Sequence, residues 1–307
     1  MTELAHSTLA KGLDRSDIDA MLRAAEPRRF QALSASLNLA FAVFLTLLGR
    51  APFESMALWS VVAAIAAMAL WRLSQHLWRD LAIAAIAPAI GEPWGQSLFV
   101  SGWGAVEIER RLGDLFSHDG ARYTAWQSHG RYRDVVYRLS ESTIWQRRRN
   151  NAPREVIHLM EVEITVPVSF VGSLKVRPRS GFARKIDDLV RRVSGESEQR
   201  IEIDPAFDAV FDTMMDRCDS VEALLTPAFR RAMLVLAAHY PRMYLEAGFE
   251  HGWFRLRLPI ANLVFASASL AKPMTDLAEE ADALWWDLTV PHRLIDALMG
   301  DLDGPLR

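Results

Sequence analysis

Two long apolar segments occupy the first quarter of this 307-residue chain, at residues 30–48 and 55–71. Neither segment contains a charged residue. A helix rises about 1.5 Å per residue, so each segment approaches the roughly 30 Å thickness of the hydrocarbon core of a bilayer. The pattern predicts a transmembrane helical hairpin over residues 30–73, closed by a turn at residues 49–54. The alternative is a pair of buried helices in a soluble bundle, because the alanine-rich part of the second segment is only modestly apolar.

The charges that flank the hairpin predict its orientation. Several basic residues precede the first segment, only Arg50 lies between the two segments, and Arg72 and Arg79 follow the second. Short flanks that are rich in Lys and Arg stay in the cytoplasm. We therefore expect a multi-pass protein of the inner (cytoplasmic) membrane with both termini in the cytoplasm. The N-terminal segment, residues 1–29, contains several acidic residues and does not have the composition of a cleaved signal peptide.

The composition of the hairpin favours an anchor over a transport path. Transport paths usually contain ionisable residues within the membrane, and these two segments contain none. The alanines of the second segment would let the two helices approach closely. We expect Ser34, Ser36 and Asn38 to face that contact. Trp78 is either an interfacial anchor or an ordinary packed residue.

The pattern changes after the hairpin. Residues 74–121 are expected to form a helical juxtamembrane connector, and residues 122–307 a cytoplasmic domain with both sheet and helices. Alternating or β-forming residues predict antiparallel strands, which lie at residues 123–129, 134–139, 143–147, 155–168 and 173–176. Helical spacing predicts helices at residues 106–116, 183–193, 220–240 and 274–299.

Two C-terminal regions are less regular. Residues 205–216 fit a helix, which Asp204 and Pro205 would start well, but they also fit a strand with Phe211 on one face. Residues 244–258 flank a Glu-His-Gly turn and predict a β-hairpin, and residues 263–267 are expected to add another strand.

The order of these segments resembles a bacterial membrane protein family known as domain of unknown function 3137. The resemblance rests on a strand, Val-Pro, Phe, Gly, strand pattern at residues 155–181, on paired phenylalanines four apart at Phe207 and Phe211, and on the Leu-Thr-Pro-x-Phe helix start within residues 219–229. It implies an α+β cytoplasmic domain on a membrane hairpin, with a strand at residues 211–215. The family has no catalytic residues that could be transferred to this chain.

Four aspartates repeat at every fourth position, at Asp204, Asp208, Asp212 and Asp216. Converging carboxylates could bind a hard cation, but the glycine and glutamate of an EF-hand loop are missing, which favours a solvated acidic face. The histidines are scattered without metal-ligand spacing, and no nucleophile elbow or phosphate-binding loop is present. We therefore predict no catalytic residues, no metal site and no cofactor. The single cysteine, Cys218, is expected to be an inert packed thiol.

Charge is distributed unevenly along the soluble part. Residues 122–192 contain fifteen basic and seven acidic residues, whereas residues 200–307 contain ten basic and seventeen acidic residues. Arg147, Arg148 and Arg149 form the densest basic cluster and are the candidate contact for anionic lipid head groups or for a partner. The alternative is a sheet whose long basic side chains lie in solvent or pair with the acidic half of the chain.

Taken together, the sequence predicts a membrane-anchored α+β protein, with an N-terminal transmembrane helical hairpin followed by a cytoplasmic domain of antiparallel sheet and helices. We expect an interaction domain without enzymatic activity. Its expected partners are the lipid bilayer and an unknown protein or a second copy of the chain, and a net charge of −3 gives no indication of nucleic acid binding. The alternative is a membrane-associated enzyme whose site is assembled from the dispersed acidic residues.

Overall fold

A computed structural model describes residues 15–50, 52, 55–91, 97–100, 122–146, 155–179, 199–240, 245–260 and 263–301. Two long helices come first, α1 (Arg15–Gly49) and α2 (Met56–Gly91). The predicted helices at residues 106–116 and 183–193 lie outside the described residues.

Each long helix consists of two parts with different surroundings. We call residues 30–49 and 56–71 the apolar halves, and residues 15–29 and 72–91 the stalk. Stalk side chains pack into the same core as the sheet that follows, and the most buried of them are Ile18, Leu22, Ala25, Trp78, Ala82, Ile83, Ile86 and Ala87. The described parts of the N-terminal segment and of the connector thus share one hydrophobic core with the C-terminal domain, and Trp78 is a packed core residue.

The apolar halves expose large hydrophobic side chains on all sides except where the two helices contact each other. Phe41 and Ile65 are 62% and 63% exposed, and Ala63 is buried in the helix–helix contact. Both helices are long and apolar enough to cross a membrane, judged by length and composition. An apolar surface of this extent is unusual on a protein that is surrounded only by water.

One expectation about the hairpin contact is wrong. Ser34 and Ser36 are half-buried, whereas Asn38 is exposed. Successive residues of a helix are separated by about 100°, so Ser34 and Asn38 each lie about 200° around α1 from Ser36, and the three residues cannot share one face.

Within the described residues, nine strands form an entirely antiparallel sheet at the centre of the domain, in the order β1-β2-β3-β4-β9-β8-β5-β7-β6. Its strands are β1 (Ser97–Val100), β2 (Arg122–Tyr132), β3 (Val135–Gln146), β4 (Glu155–Thr165), β5 (Ser173–Pro178), β6 (Gln199–Ile201), β7 (Phe211–Asp216), β8 (Glu246–Glu250) and β9 (Trp253–Ile260). The two strands predicted at residues 134–147 form the single strand β3. The α+β class and the antiparallel sheet are confirmed.

The alternation of apolar and polar residues along strand β4 shows which side of the sheet is buried. Met160, Val162 and Ile164 face the core, and they pair with Leu258, Leu256 and Phe254 of β9, all of which are buried. The residues between them face the opposite side, as the period of two along a strand requires.

The ambiguous segment contains a helix and a strand in succession. A single turn, α3 (Pro205–Asp208), starts at Asp204, whose carboxylate accepts hydrogen bonds from the backbone N–H groups of Ala206 and Phe207. Pro205 suits the first turn of a helix because its missing N–H would have no intrahelical partner there. Strand β7 follows directly, and the strand prediction for residues 211–215 is confirmed.

The helices that cover the core come from the C-terminal half. A turn, α4 (Val221–Leu224), precedes α5 (Pro227–His239), where the Thr226 hydroxyl accepts a hydrogen bond from the Phe229 N–H. A 3₁₀ turn (Met274–Leu277) leads into α6 (Ala278–Leu298), which continues through Pro291. The helices predicted near Pro227 and around Pro291 are confirmed.

The strand predicted at residues 263–267 is wrong. These residues form consecutive turns, and Phe265 is fully buried with a backbone φ of +55°. The N–H of Val264 donates to the Glu141 carboxylate and its carbonyl accepts from Arg79. Because side chains satisfy the backbone of Val264, no strand ladder is needed there.

Candidate functional site

An ion pair fastens the stalk to the sheet. Arg79 of α2 and Glu141 of β3 are separated by 2.8 Å between Nη2 and Oε1, and the Glu141 side chain is 1% exposed. The second carboxylate oxygen of Glu141 accepts a hydrogen bond from the indole N–H of Trp126. Burial raises the pKa of Glu141 above its ordinary value, and the nearby guanidinium of Arg79 opposes that shift.

Arg79 and Glu141 also hold the loop after β9. Arg79 Nε donates to the carbonyl of Val264 at 2.7 Å, and the Val264 N–H donates to Glu141 at 3.3 Å. The stalk, the centre of the sheet and this loop therefore meet in one hydrogen-bonded group, which we call the junction (Arg79, Trp126, Glu141 and Val264).

A second set of contacts joins α1 to the same loop region. Glu26 accepts a hydrogen bond from Arg29 at 2.5 Å and another from the Met274 N–H at 2.9 Å. Arg29 also donates to the carbonyl of Leu270. The hydrogen bond from Arg29 is the largest effect on Glu26 and lowers its pKa, and the bond from Met274 acts in the same direction. Both stalk helices are thus attached to the domain through polar contacts as well as through the core.

A group of polar residues lies beneath the sheet at the end of α6. His292 lies between the rings of Tyr132 and Tyr137, with its Nε2 3.3 Å from the Tyr137 hydroxyl. Asp296 forms a 3.0 Å ion pair with Arg133. Burial lowers the pKa of His292 to about 3 and raises the pKa of Tyr132 to about 12. His292 and Tyr132 are buried and keep their neutral forms near pH 7, which suits structural support better than proton transfer to a substrate.

The opposite side of the sheet carries charged and polar side chains, and no described element covers it. We call this surface the open face. Its members point away from the core on β2 to β9, and include Gln127, Arg138, Ser140, Glu161, Glu163, Lys175, Arg177, Arg200, Asp212, Glu246, Arg255 and Arg257.

Cross-strand ion pairs connect neighbouring strands of the open face. Glu163 lies 3.5 Å from Arg138 and 3.2 Å from Arg255, on the two strands that flank it. Similar pairs join Arg257 to Glu161 at 3.0 Å, Arg177 to Glu246 at 3.7 Å and Arg200 to Asp212 at 2.7 Å. Among these pairs, Arg177 with Glu246 joins a basic residue of residues 122–192 to an acidic residue of the C-terminal half, as the alternative interpretation of the charge distribution expected. Glu161 and Glu163 do the reverse and pair with arginines of the C-terminal half.

A gap in this charged surface lies at Gly248 of β8. Because glycine has no side chain, a shallow cavity of about 240 Å³ opens there, between Lys175 on β5 and Arg255 on β9. An added Cβ at Gly248 would lie 3.3 Å from the carbonyl oxygen of Leu174, so a larger residue would be crowded. The open face thus offers a hollow edged by charges of both signs, which fits a polar protein surface better than a uniformly anionic ligand.

The acidic repeat does not form a site. Asp204 caps α3 and contacts Arg230 at 2.5 Å, Asp208 accepts from the Ile203 N–H, and Asp212 pairs with Arg200. No group of three His, Cys, Asp or Glu that could hold a metal occurs among the described residues.

The candidate contact residues Arg147, Arg148 and Arg149 lie outside the described residues, so their role stays a prediction. Cys218 is buried. Sequence reasoning missed the junction, although Glu141 gave a signal: it occupies a core-facing position of β3, in phase with Tyr137 and Leu139. A charged residue at such a position requires a buried partner.

Comparison of the chain with known protein families, with functionally curated proteins and with solved structures finds no match. The resemblance to domain of unknown function 3137 therefore stays a prediction, and the function has to be argued from the molecule itself.

Proposed function

We propose that this chain is a membrane-anchored platform. Its hairpin spans the inner membrane of a bacterium, and its stalk holds an α+β interaction domain against the cytoplasmic side. The open face of the sheet is the surface that this domain presents to a protein partner.

The observation that carries the proposal is the exposure of the apolar halves. A helix that is apolar all round is stable when it is buried in protein or in lipid. The described protein leaves Leu58, Ile65 and Phe41 between 62% and 66% exposed, so protein does not supply that cover. Lipid does, and the apolar halves, at about 30 Å for residues 30–49 and about 24 Å for residues 56–71, approach the roughly 30 Å thickness of the hydrocarbon core.

The charges support a cytoplasmic domain. Arg28, Arg29 and Arg72 lie where the apolar halves meet the stalk, whereas Arg50 is the single basic residue at the other end. This difference favours a stalk in the cytoplasm. Because the domain packs on the stalk, it is placed on the same side of the membrane.

Single-cysteine labelling of the full chain tests the anchor and its direction together. Cys218→Ala removes the native thiol, after which Arg50→Cys or Glu279→Cys introduces an exposed thiol at the hairpin turn or on α6. A membrane-impermeant maleimide should label Arg50→Cys in intact spheroplasts. It should label Glu279→Cys only after the cells are lysed.

Alkaline extraction of the same membranes provides the control. The proposal expects the chain to stay in the membrane pellet at high pH. Release of the chain into the supernatant would support the soluble-bundle alternative, and labelling of Glu279→Cys in intact spheroplasts would reverse the orientation.

A further inference from the structure

Asn38 is a polar residue in an unusual place. It lies eight residues from Phe30, or about 12 Å along α1, which places it near the middle of the apolar half. Its side chain is exposed, and its amide has no hydrogen-bond partner among the described residues. Two hydroxyls in the apolar halves differ in this respect. Thr46 donates to the Ala42 carbonyl at 2.7 Å, and Ser60 donates to the Met56 carbonyl at 2.8 Å.

The difference has a physical consequence within a membrane. Ser and Thr satisfy their hydroxyl on the carbonyl four residues earlier in the same helix, as Thr46 and Ser60 do. An unsatisfied amide in hydrocarbon is unfavourable, because lipid tails can neither donate nor accept a hydrogen bond. Asn38 therefore needs a partner from outside its own hairpin.

The surface around Asn38 can approach another helix closely. Exposed residues on this side of α1 recur with spacings of four and three, and they are Gln31, Ala35, Asn38, Ala42, Leu45 and Gly49. A repeat of 3.5 residues is the spacing of a left-handed helix pair, and the small side chains at Ala35, Ala42 and Gly49 permit close contact. The structure leaves open space beside Gly49.

We propose that this side of α1 binds the same side of a second copy of the chain, so that the two Asn38 amides hydrogen-bond to each other within the membrane. The proposal rests on the proposed function, because it requires the hairpin to span the bilayer.

Two facts identify the partner of α1 as a second copy of the chain: the depth of Asn38 in the membrane and the hydrogen-bonding chemistry of its amide. All copies enter the membrane in the same direction, so Asn38 lies at the same depth in each, and two parallel helices bring these residues together. An amide both donates and accepts, which makes it complementary to its own copy. A different protein would need a polar residue at that same depth, whereas a second copy supplies one by symmetry.

Disulfide crosslinking in native membranes tests the pair. In the full chain with Cys218→Ala, Ala42→Cys places a thiol beside Asn38, and oxidation should give a dimer that contains two differently tagged copies. Leu37→Cys is the matched control, because Leu37 is also exposed but lies about 100° around the helix from Asn38. Crosslinking through Ala42→Cys should exceed crosslinking through Leu37→Cys.

Substitution of Asn38 tests the hydrogen bond. Asn38→Leu in the Ala42→Cys chain should reduce the crosslinked fraction about three- to tenfold, the range expected for one interhelical hydrogen bond in a membrane. Asn38→Gln keeps an amide and should retain more of the dimer than Asn38→Leu.

The outcomes distinguish the pairing of two copies from the membrane anchor on which it rests. Release of the unsubstituted chain at high pH overturns the membrane anchor. Retention in the membrane with equal crosslinking through Ala42→Cys and Leu37→Cys overturns the pairing of copies alone. The same holds if Asn38→Leu has no effect, or if the crosslinked product contains a different protein in place of the second tagged copy.

Discussion

Two uncharged stretches of α2, one in the stalk and one in the apolar half, are similarly apolar but have different surroundings. Residues 81–87 of the stalk and residues 61–70 of the apolar half are both rich in alanine, with other aliphatic residues between the alanines, and neither segment contains a charge. In the stalk, Ala82, Ile83 and Ile86 are buried against the sheet domain. In the apolar half, the large side chains are exposed.

Hydropathy alone therefore does not decide where an apolar helix lies. In the stalk the buried residues form one stripe, and Ala84, Pro88 and Ala89 outside it are exposed. That arrangement is typical of a helix on a globular core. The stalk also contains Arg79, whose partner Glu141 belongs to the sheet. Whether an apolar helix packs on protein or lies in lipid therefore depends also on its polar residues and on the residues that pair with them elsewhere in the fold.

An Ile→Lys substitution should have the largest effects, and it should act on domain stability in the stalk but on membrane insertion in the apolar half. Ile83→Lys places a charge where the side chain is 0% exposed, so it should lower the free energy of unfolding of the domain by more than about 4 kcal/mol. Ile65→Lys places the charge near the middle of the apolar half, where insertion should become less favourable by about 3 kcal/mol. Limited proteolysis measures the domain, and alkaline extraction measures insertion.

Each variant is the control for the other. Ile65→Lys should leave the protease-resistant domain intact. If Ile65→Lys destabilises the domain as much as Ile83→Lys does, the apolar half contributes to the core of the domain, and the two parts of α2 do not differ in their surroundings.

Substitution at the junction should give the next largest change in the free energy of unfolding. Glu141→Ala removes the 2.8 Å anionic partner of Arg79, which keeps only the longer contact of 3.7 Å to Asp80, and leaves the indole N–H of Trp126 without its acceptor. Breaking a buried pair from one side should lower the free energy of unfolding by about 3 kcal/mol. Chemical unfolding of the full chain in detergent micelles, followed by tryptophan fluorescence, measures this change.

Glu163→Ala is the matched control on the open face, where Glu163 has two arginine partners but is solvent-accessible. It should reduce stability by less than about 1 kcal/mol. Replacing both Arg79 and Glu141 with methionine should recover part of the loss seen with Glu141→Ala, because the guanidinium of Arg79 is then no longer buried without the carboxylate of Glu141. Equal losses for Glu141→Ala and Glu163→Ala would show that the junction does not fasten the stalk.

Local patterns predicted the parts of this fold that depend on neighbouring residues. The alternation along β4 identified its buried side, and the Asp204-Pro205 pair marked the start of α3. His251 and Gly252 both have positive φ, and they form the tight turn that the sequence predicted between β8 and β9.

Features that depend on distant residues could not be predicted in this way. Arg79 is 62 residues from Glu141 and 185 residues from Val264, so no local period connects them. The segment at residues 263–267 has the composition of a strand, yet Arg79 and Glu141 bind its backbone and hold it in turns. Asn38 was placed on the wrong side of α1 because the packing of the hairpin, and not residue type, determines which side faces α2.

The smallest expected effect concerns the acid stability of the stalk contact at Glu26. The hydrogen bond from Arg29 lowers the pKa of Glu26 below 4.5, with a further contribution from the Met274 N–H. A carboxyl whose pKa is lowered by folding stabilises the folded state above its unfolded pKa, and this stabilisation is lost as the pH falls through the folded pKa. Glu26→Gln should therefore lower the melting temperature near neutral pH by about 2 °C, because the site is partly exposed.

The difference between wild type and Glu26→Gln should shrink as the pH falls from about 6 to about 3, because protonation of Glu26 then removes the same charge in the wild type. Melting curves of both proteins in the same detergent at several pH values measure this trend. Glu279→Gln is the control, since Glu279 is an exposed acidic residue of α6. A difference that stays constant over this pH range would show that the Glu26 charge does not stabilise the contact between α1 and the domain.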